Sequence, residues 1–199
     1  MLGELNRVLA AGDTGELFRL VLPYAFAVIP VIIVVHLLIS LVFRGAPAER
    51  KRWNLWDILI YLGTLGCVGG LAATSFVEVL RHGELGGWPL FLHMCGAGAF
   101  TAVLPLLVLS WAHLNQFEVG PATGKTAPAK FYWLPKLMFW VIVAGGIVVT
   151  MTMLVSMLPI FGTDGMLVLL DLHRYSGLIV VLALVLHLYG VAVQRMGLR

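Results

Sequence analysis

Charged residues are scarce in this chain. Asp and Glu number 10 and Lys and Arg 13 among 199 residues, a charged fraction of 12%. Soluble domains carry about 25%. A soluble enzyme, a disordered chain and a nucleic-acid binder are therefore poor readings, and no nucleic-acid partner is expected. Cysteine is scarcer still. Cys67 and Cys95 both lie in apolar runs, where they read as buried small hydrophobes. Two cysteines do not make a disulfide framework. Without a CxxC or CxxCH motif, neither a c-type haem nor a cysteine-ligated zinc or iron–sulfur centre is available. Internal repeats and low-complexity tracts are missing. So are the alternating segments of about 10 residues that a membrane β-barrel needs.

What fills the chain is apolar: 60% of residues are hydrophobic and mean hydropathy is +0.97. A spanning helix needs about 20 apolar residues. Five runs qualify, at 18–43, 57–80, 89–113, 133–158 and 166–193. The first begins too late and runs too long for a cleaved signal peptide. The expected fold is an all-α membrane protein with five transmembrane helices, forming one domain over residues 1–199.

The basic residues divide unevenly between the two ends of such a bundle. Arg44, Arg50, Lys51, Arg52, Lys125, Lys130, Lys136, Arg195 and Arg199 fall on one side. Arg7, Arg19, Arg81 and Arg174 fall on the other. The positive-inside rule places the N-terminus outside and the C-terminus in the cytoplasm.

Histidine carries the chemical content. His36, His93, His173 and His187 lie within spans, where polar groups are costly and are functional candidates by default. An interhelical hydrogen bond is the plain alternative for any one of them. His173 and His187 are 14 residues apart, which is about 21 Å along a helix. At about 100° per residue they share a face, 40° short of four full turns. Two imidazoles stacked at that spacing suit two haems rather than one metal ion. Depth matching pairs His93 with His173 near the outer face and His36 with His187 near the inner face. Neutral imidazole pairs suit low-spin b-type haem.

Gly96, Gly177 and Gly190 each follow a histidine by about one turn, which would leave room for a macrocycle. His36 has Ser40 there instead. Gly63, Gly66, Gly69 and Gly70 read as helix-packing positions. Arg174 is placed to meet a haem propionate or to snorkel from a helix end. His113, beside Asn115 and Gln116, reads as an interfacial residue, a quinone contact or a rival inner-haem ligand. It lies 20 residues from His93, about 30 Å, a poor match to the spacing on the last helix. His82 reads as a solvated loop residue. Mid-membrane acidic residues are nearly absent and Asp171 sits near a span end, which counts against a proton or ion transporter.

Helices two to five resemble the cytochrome b (gamma) subunit of respiratory formate dehydrogenase, and more distantly the cytochrome b of nickel–iron hydrogenases. The likeness lies in Leu172-His173-Arg174-Tyr175-Ser176-Gly177 through His187-Leu188-Tyr189. It extends to Lys130-Phe131-Tyr132-Trp133-Leu134-Pro135-Lys136-Leu137-Met138-Phe139-Trp140 with Gly145-Gly146, and to Leu92-His93 with Gly96 and, later, Trp111 through Asn115. It implies a b-type cytochrome subunit of a bacterial or archaeal cytoplasmic membrane. Such a subunit passes electrons from an iron–sulfur partner through two haems b to menaquinone or ubiquinone. A molybdenum, tungsten or nickel–iron subunit does the substrate chemistry.

His93 and His173 would hold the outer haem and His187 the inner one. The chain departs from the family in three places. An additional N-terminal helix precedes the four-helix haem-binding bundle of helices two to five and carries His36. Tyr61 stands where the fourth histidine is expected. Either His36 replaces that ligand, with His113 as its rival, or the inner haem is gone. The family's polar quinone contacts are replaced by Tyr132, Leu134 and Pro135, leaving His113, Asn115, Gln116 and Tyr132 as candidates.

Overall fold

The structure, a computed structural model, describes residues 14–42, 53–117 and 133–196. Among these lie five helices and no strand. They are α1 (Thr14–Val42), α2 (Leu55–His82), α3 (Gly87–Trp111), α4 (Trp133–Ser156) and α5 (Thr163–Met196), with a 3-10 turn at Ala112–Leu114 after α3. All five are long and apolar enough to cross a membrane. The chain is an all-α membrane protein. α2 and α5 overrun their apolar runs at both ends, because polar ends can stay helical beyond the hydrocarbon, while α3 and α4 stop two residues short of theirs at the C-terminal end. The 34 residues of α5 reach about 51 Å, against a hydrocarbon core of about 30 Å. Asp164 and Arg195 sit in its first and last turns.

Local sequence fixes the ends of α2. Asn54 and Asp57 form a reciprocal capping box, with Asp57 N–H donating to Asn54 Oδ1 at 2.7 Å and Asn54 N–H to Asp57 Oδ2 at 3.2 Å. That satisfies two of the amides a helix start leaves unpaired. At the other end Gly83 adopts φ 84°, and its N–H reaches Val79 O at 3.0 Å. The left-handed region suits glycine. It turns the chain within a few residues into α3.

Two hairpins result, α2–α3 and α4–α5, and they face each other as a four-helix bundle. Ile60, Val68, Phe100, Leu104, Phe139, Ile142, Val143 and Leu184 form the shared core. The closest packing is between α4 and α5. A Cβ on Gly145 would lie 2.7 Å from Val180 Cγ2, and one on Gly190 would lie 2.9 Å from Pro135 Cγ. Gly190 therefore serves helix contact and not space for a macrocycle. The same holds for Gly96, whose Cβ would meet Leu71 at 3.1 Å. Gly177 alone of the three meets nothing within 4 Å. Gly63, Gly66, Gly69 and Gly70 have no neighbour within 4 Å either. They leave an open face on α2 instead of the packing seam expected.

α1 lies outside the bundle and packs on it along one side, Arg19 donating to Leu80 O at 3.1 Å and Phe26 meeting Phe76 at 5.7 Å. Phe18 and Leu22 are 1% and 0% exposed and pack with Leu178 of α5, and Phe18 meets Tyr175 edge-on at 5.3 Å. Farther along, His36 bonds Tyr189 of α5. Between them Val31, Ile32 and Val35 are exposed, as a lipid-facing surface would be. Arg19, Arg81 and Arg174 stand toward one end of the bundle. Lys136 and Arg195 stand toward the other. The remaining basic residues of the charge argument lie outside the described residues.

Candidate functional site

No Cα of α3 comes within 8 Å of a Cα of α5. The two helices nevertheless bring His93 and His173 together across that gap. Their ring centroids are 6.3 Å apart and their planes cross at 69°. Rings at that separation would be close enough to hold a common metal ion by one nitrogen each, with bonds of about 2.0–2.1 Å. A cavity of about 430 Å³ opens beside them. Phe100, Val149, Val180 and Leu170 are among its apolar walls, and Gly177 and Arg174 also line it. Its size falls in the range of cofactor pockets, about 300–1,000 Å³.

Two threonines set the chemistry of the imidazoles. Thr152 Oγ1 donates to Val149 O at 2.9 Å, so its oxygen accepts from His173 Nδ1–H at 3.1 Å. Thr74 Oγ1 donates to Gly70 O at 2.8 Å and accepts a longer bond of 3.4 Å from His93 Nδ1–H. A neutral imidazole with its proton on Nδ1 keeps its lone pair on Nε2. Both rings are thus oriented and held in the tautomer a metal needs, the usual role of a ligand's outer partner. The sequence pointed to the histidines but not to Thr74 and Thr152. Hydroxyls in apolar helices at the depth of a histidine were the available signal.

Arg174 Nη1 lies 3.4 Å from Asp171 Oδ1, and both side chains are about one quarter exposed. The guanidinium is thereby held at the cavity, whose polar rim also includes Glu84. The donor set and the cavity fit a haem, and the rim carries both Arg174 and Glu84. Among the described residues, no three His, Cys, Asp or Glu side chains gather as a metal-ion site.

The second histidine of α5 is surrounded differently. His187 Nδ1–H donates to Pro135 O at 2.9 Å, which again leaves Nε2 basic. Facing it is Tyr61, with ring centroids 6.4 Å apart. The cavity there is about 20 Å³, lined by Tyr61, Thr64, Trp111, Phe139 and Leu184. Trp53 and Trp111 pack edge to face at 5.0 Å, and Trp53 meets Tyr61 at 5.0 Å. Arg195 stacks over Trp53 at 5.2 Å. This end does not fit a second macrocycle.

His36 is not brought to His187. Its Nδ1 is 2.7 Å from Tyr189 Oη. Tyr189 follows His187 by two residues, about 200° around the helix, so His36 packs against the far side of α5. The bond ties α1 to the bundle. Substituting Tyr189→Phe and His36→Leu singly and together is expected to give a coupling of about 0.6 kcal/mol in a double-mutant cycle.

The other candidates are scattered. His113 is exposed in the 3-10 turn and Gln116 is exposed beyond it. Asn115 is buried and structural: its Nδ2 donates to Trp111 O at 2.9 Å, and its own carbonyl accepts from Trp140 Nε1 at 3.0 Å. Lys136 Nζ donates to Gln116 O at 2.9 Å. Tyr132 lies outside the described residues. His82 is the last residue of α2 rather than a loop residue, and bonds Glu78 at 2.7 Å. Cys67 is half-buried, but Cys95 is exposed, because its side of α3 faces away from the bundle. No protein family, curated protein or solved structure matches the chain.

Proposed function

We propose that this chain is a membrane-anchoring b-type cytochrome subunit of a respiratory oxidoreductase complex, with haem b held between His93 and His173. The observation that carries the reading is the pair of imidazoles with ring centroids 6.3 Å apart, each bonded through Nδ1 to a threonine, beside a cavity of about 430 Å³. Bound there, haem supplies reversible one-electron carriage. The chain's own residues do the rest. His93 and His173 ligate without adding charge to the bilayer. Thr74 and Thr152 hold the rings. Arg174 offers a guanidinium to a propionate. The apolar walls keep water out, which tunes the potential of an enclosed metal site.

Substrate chemistry belongs to partners. We assign an iron–sulfur subunit as electron donor, a molybdenum, tungsten or nickel–iron subunit behind it, and membrane quinone as acceptor. The formate dehydrogenase type rests on the sequence resemblance around His173 and His187. The charge asymmetry of the loops supports an N-terminus outside and a C-terminus in the cytoplasm.

The test is a pyridine haemochrome assay on the purified full chain, with electron paramagnetic resonance of the oxidised protein. The expected result is haem b with a low-spin, bis-imidazole signal. Protein free of haem b after expression with ample haem supply would leave only a structural anchor.

A further inference from the structure

The two ends of α5 present the same ligand type and opposite surroundings. Near His173 the space beside the ring is about 430 Å³. Near His187 it is about 20 Å³, room for roughly one water molecule. The partner ring is nearly as close in both places, at 6.3 Å for His93 and 6.4 Å for Tyr61. For a tyrosine that spacing is wrong. A phenol ligates through an oxygen well outside its ring, so a Tyr–metal–His pair with bonds of about 2 Å needs centroids about 8 Å apart. Tyr61 packs toward His187 as a ring, not as a ligand.

We infer that this chain holds one haem, at His93 and His173, and that its other half is closed by an aromatic plug of Trp53, Tyr61 and Trp111. The inference rests on the haem reading above and deepens it. Polar groups also line the small cavity: His187, Tyr61, Thr64 and Trp111. Trp111 Nε1 is a buried donor with no protein partner among the described residues. A single water in this cavity would give Trp111 Nε1 its acceptor, since a buried water takes two to four polar partners. His187 is then a structural residue, tying Pro135 at the start of α4 to α5.

The consequence is functional. His173 and His187 are separated by about 21 Å of helix, and the plug lies at the end carrying Arg195. A one-haem chain has no second cofactor to relay electrons to that end. Electrons enter and leave through the half of the membrane that holds His93 and His173. The acceptor is met there too, in place of the transmembrane wire that two haems would make.

The experiment counts haem b per chain in purified wild-type protein and in His187→Asn. Asparagine keeps an N–H for the Pro135 carbonyl and removes the Nε2 ligand, so the fold is retained. His187→Gln serves as the second variant where expression fails. The inference expects one haem per chain in wild type and variant, a single component in the redox titration, and an unchanged low-spin signal. Two haems per chain, falling to one in His187→Asn, would overturn the inference and leave the cytochrome reading intact. One haem that disappears in His187→Asn overturns the site assignment. A count of zero in wild type overturns both.

Discussion

Replacing His173 with alanine is expected to remove haem b from the purified chain, and His93→Ala is expected to do the same. The two imidazoles face each other across a gap that no backbone contact spans. Either truncation leaves one ligand and an enlarged cavity. The remaining ring keeps its threonine, but one bond does not give a low-spin pair. Imidazole added to the His173→Ala protein should restore haem uptake and the low-spin signal, because the cavity then admits the missing ring. Haem retention in full by either variant would rule out this site.

Thr152→Val probes a subtler dependence. Valine keeps the volume but loses the oxygen that accepts from His173 Nδ1–H at 3.1 Å. Loss of such an outer partner typically costs about 10–100-fold in metal affinity. Haem titration of the apoprotein measures the loss. His82→Ala is the control, since its bond to Glu78 at 2.7 Å lies outside the cavity.

The number and limits of the helices were legible because a bilayer imposes its own length on apolar runs. Pairing His93 with His173 was legible for a related reason. Depth in a span follows from residue count, and two helices running the same way put equal counts at equal depth. Depth says nothing about which way a side chain faces. His36 and His187 match in depth, yet Tyr189 takes His36 on the other side of α5. Rotation about the helix axis is set by packing, and the packing of α1 is decided by Phe18 and Leu22 at its far end. The glycines misled for the same reason. One turn from a histidine, Gly177 meets open space while Gly96 and Gly190 meet Leu71 and Pro135. Tyr61 was visible as a departure from the resembled pattern. That Trp53 and Trp111 close around it was not, because the three come from two helices and the residue before a cap.

Those glycines lead to the largest stability effects expected. Gly145→Ala places a methyl 2.7 Å from Val180 Cγ2. Valine is β-branched and stiff at χ1, so it cannot swing aside cheaply. Its retreat would be into the cavity that it lines with His173. Gly190→Ala sets a methyl 2.9 Å from the Pro135 ring, which is rigid and whose carbonyl already binds His187. Overpacking of this kind costs about 1–3 kcal/mol. Both variants should lower the midpoint of unfolding in detergent, and Gly145→Ala should weaken haem binding as well. Gly66→Ala, with nothing within 4 Å, should leave the midpoint unchanged or raise it, since alanine is the better helix former by about 1 kcal/mol. The contrast separates glycines that let α4 and α5 approach from those on the open face of α2. A fall at Gly66→Ala equal to that at Gly145→Ala would mean that the α2 face is itself packed, against a second copy or a partner subunit.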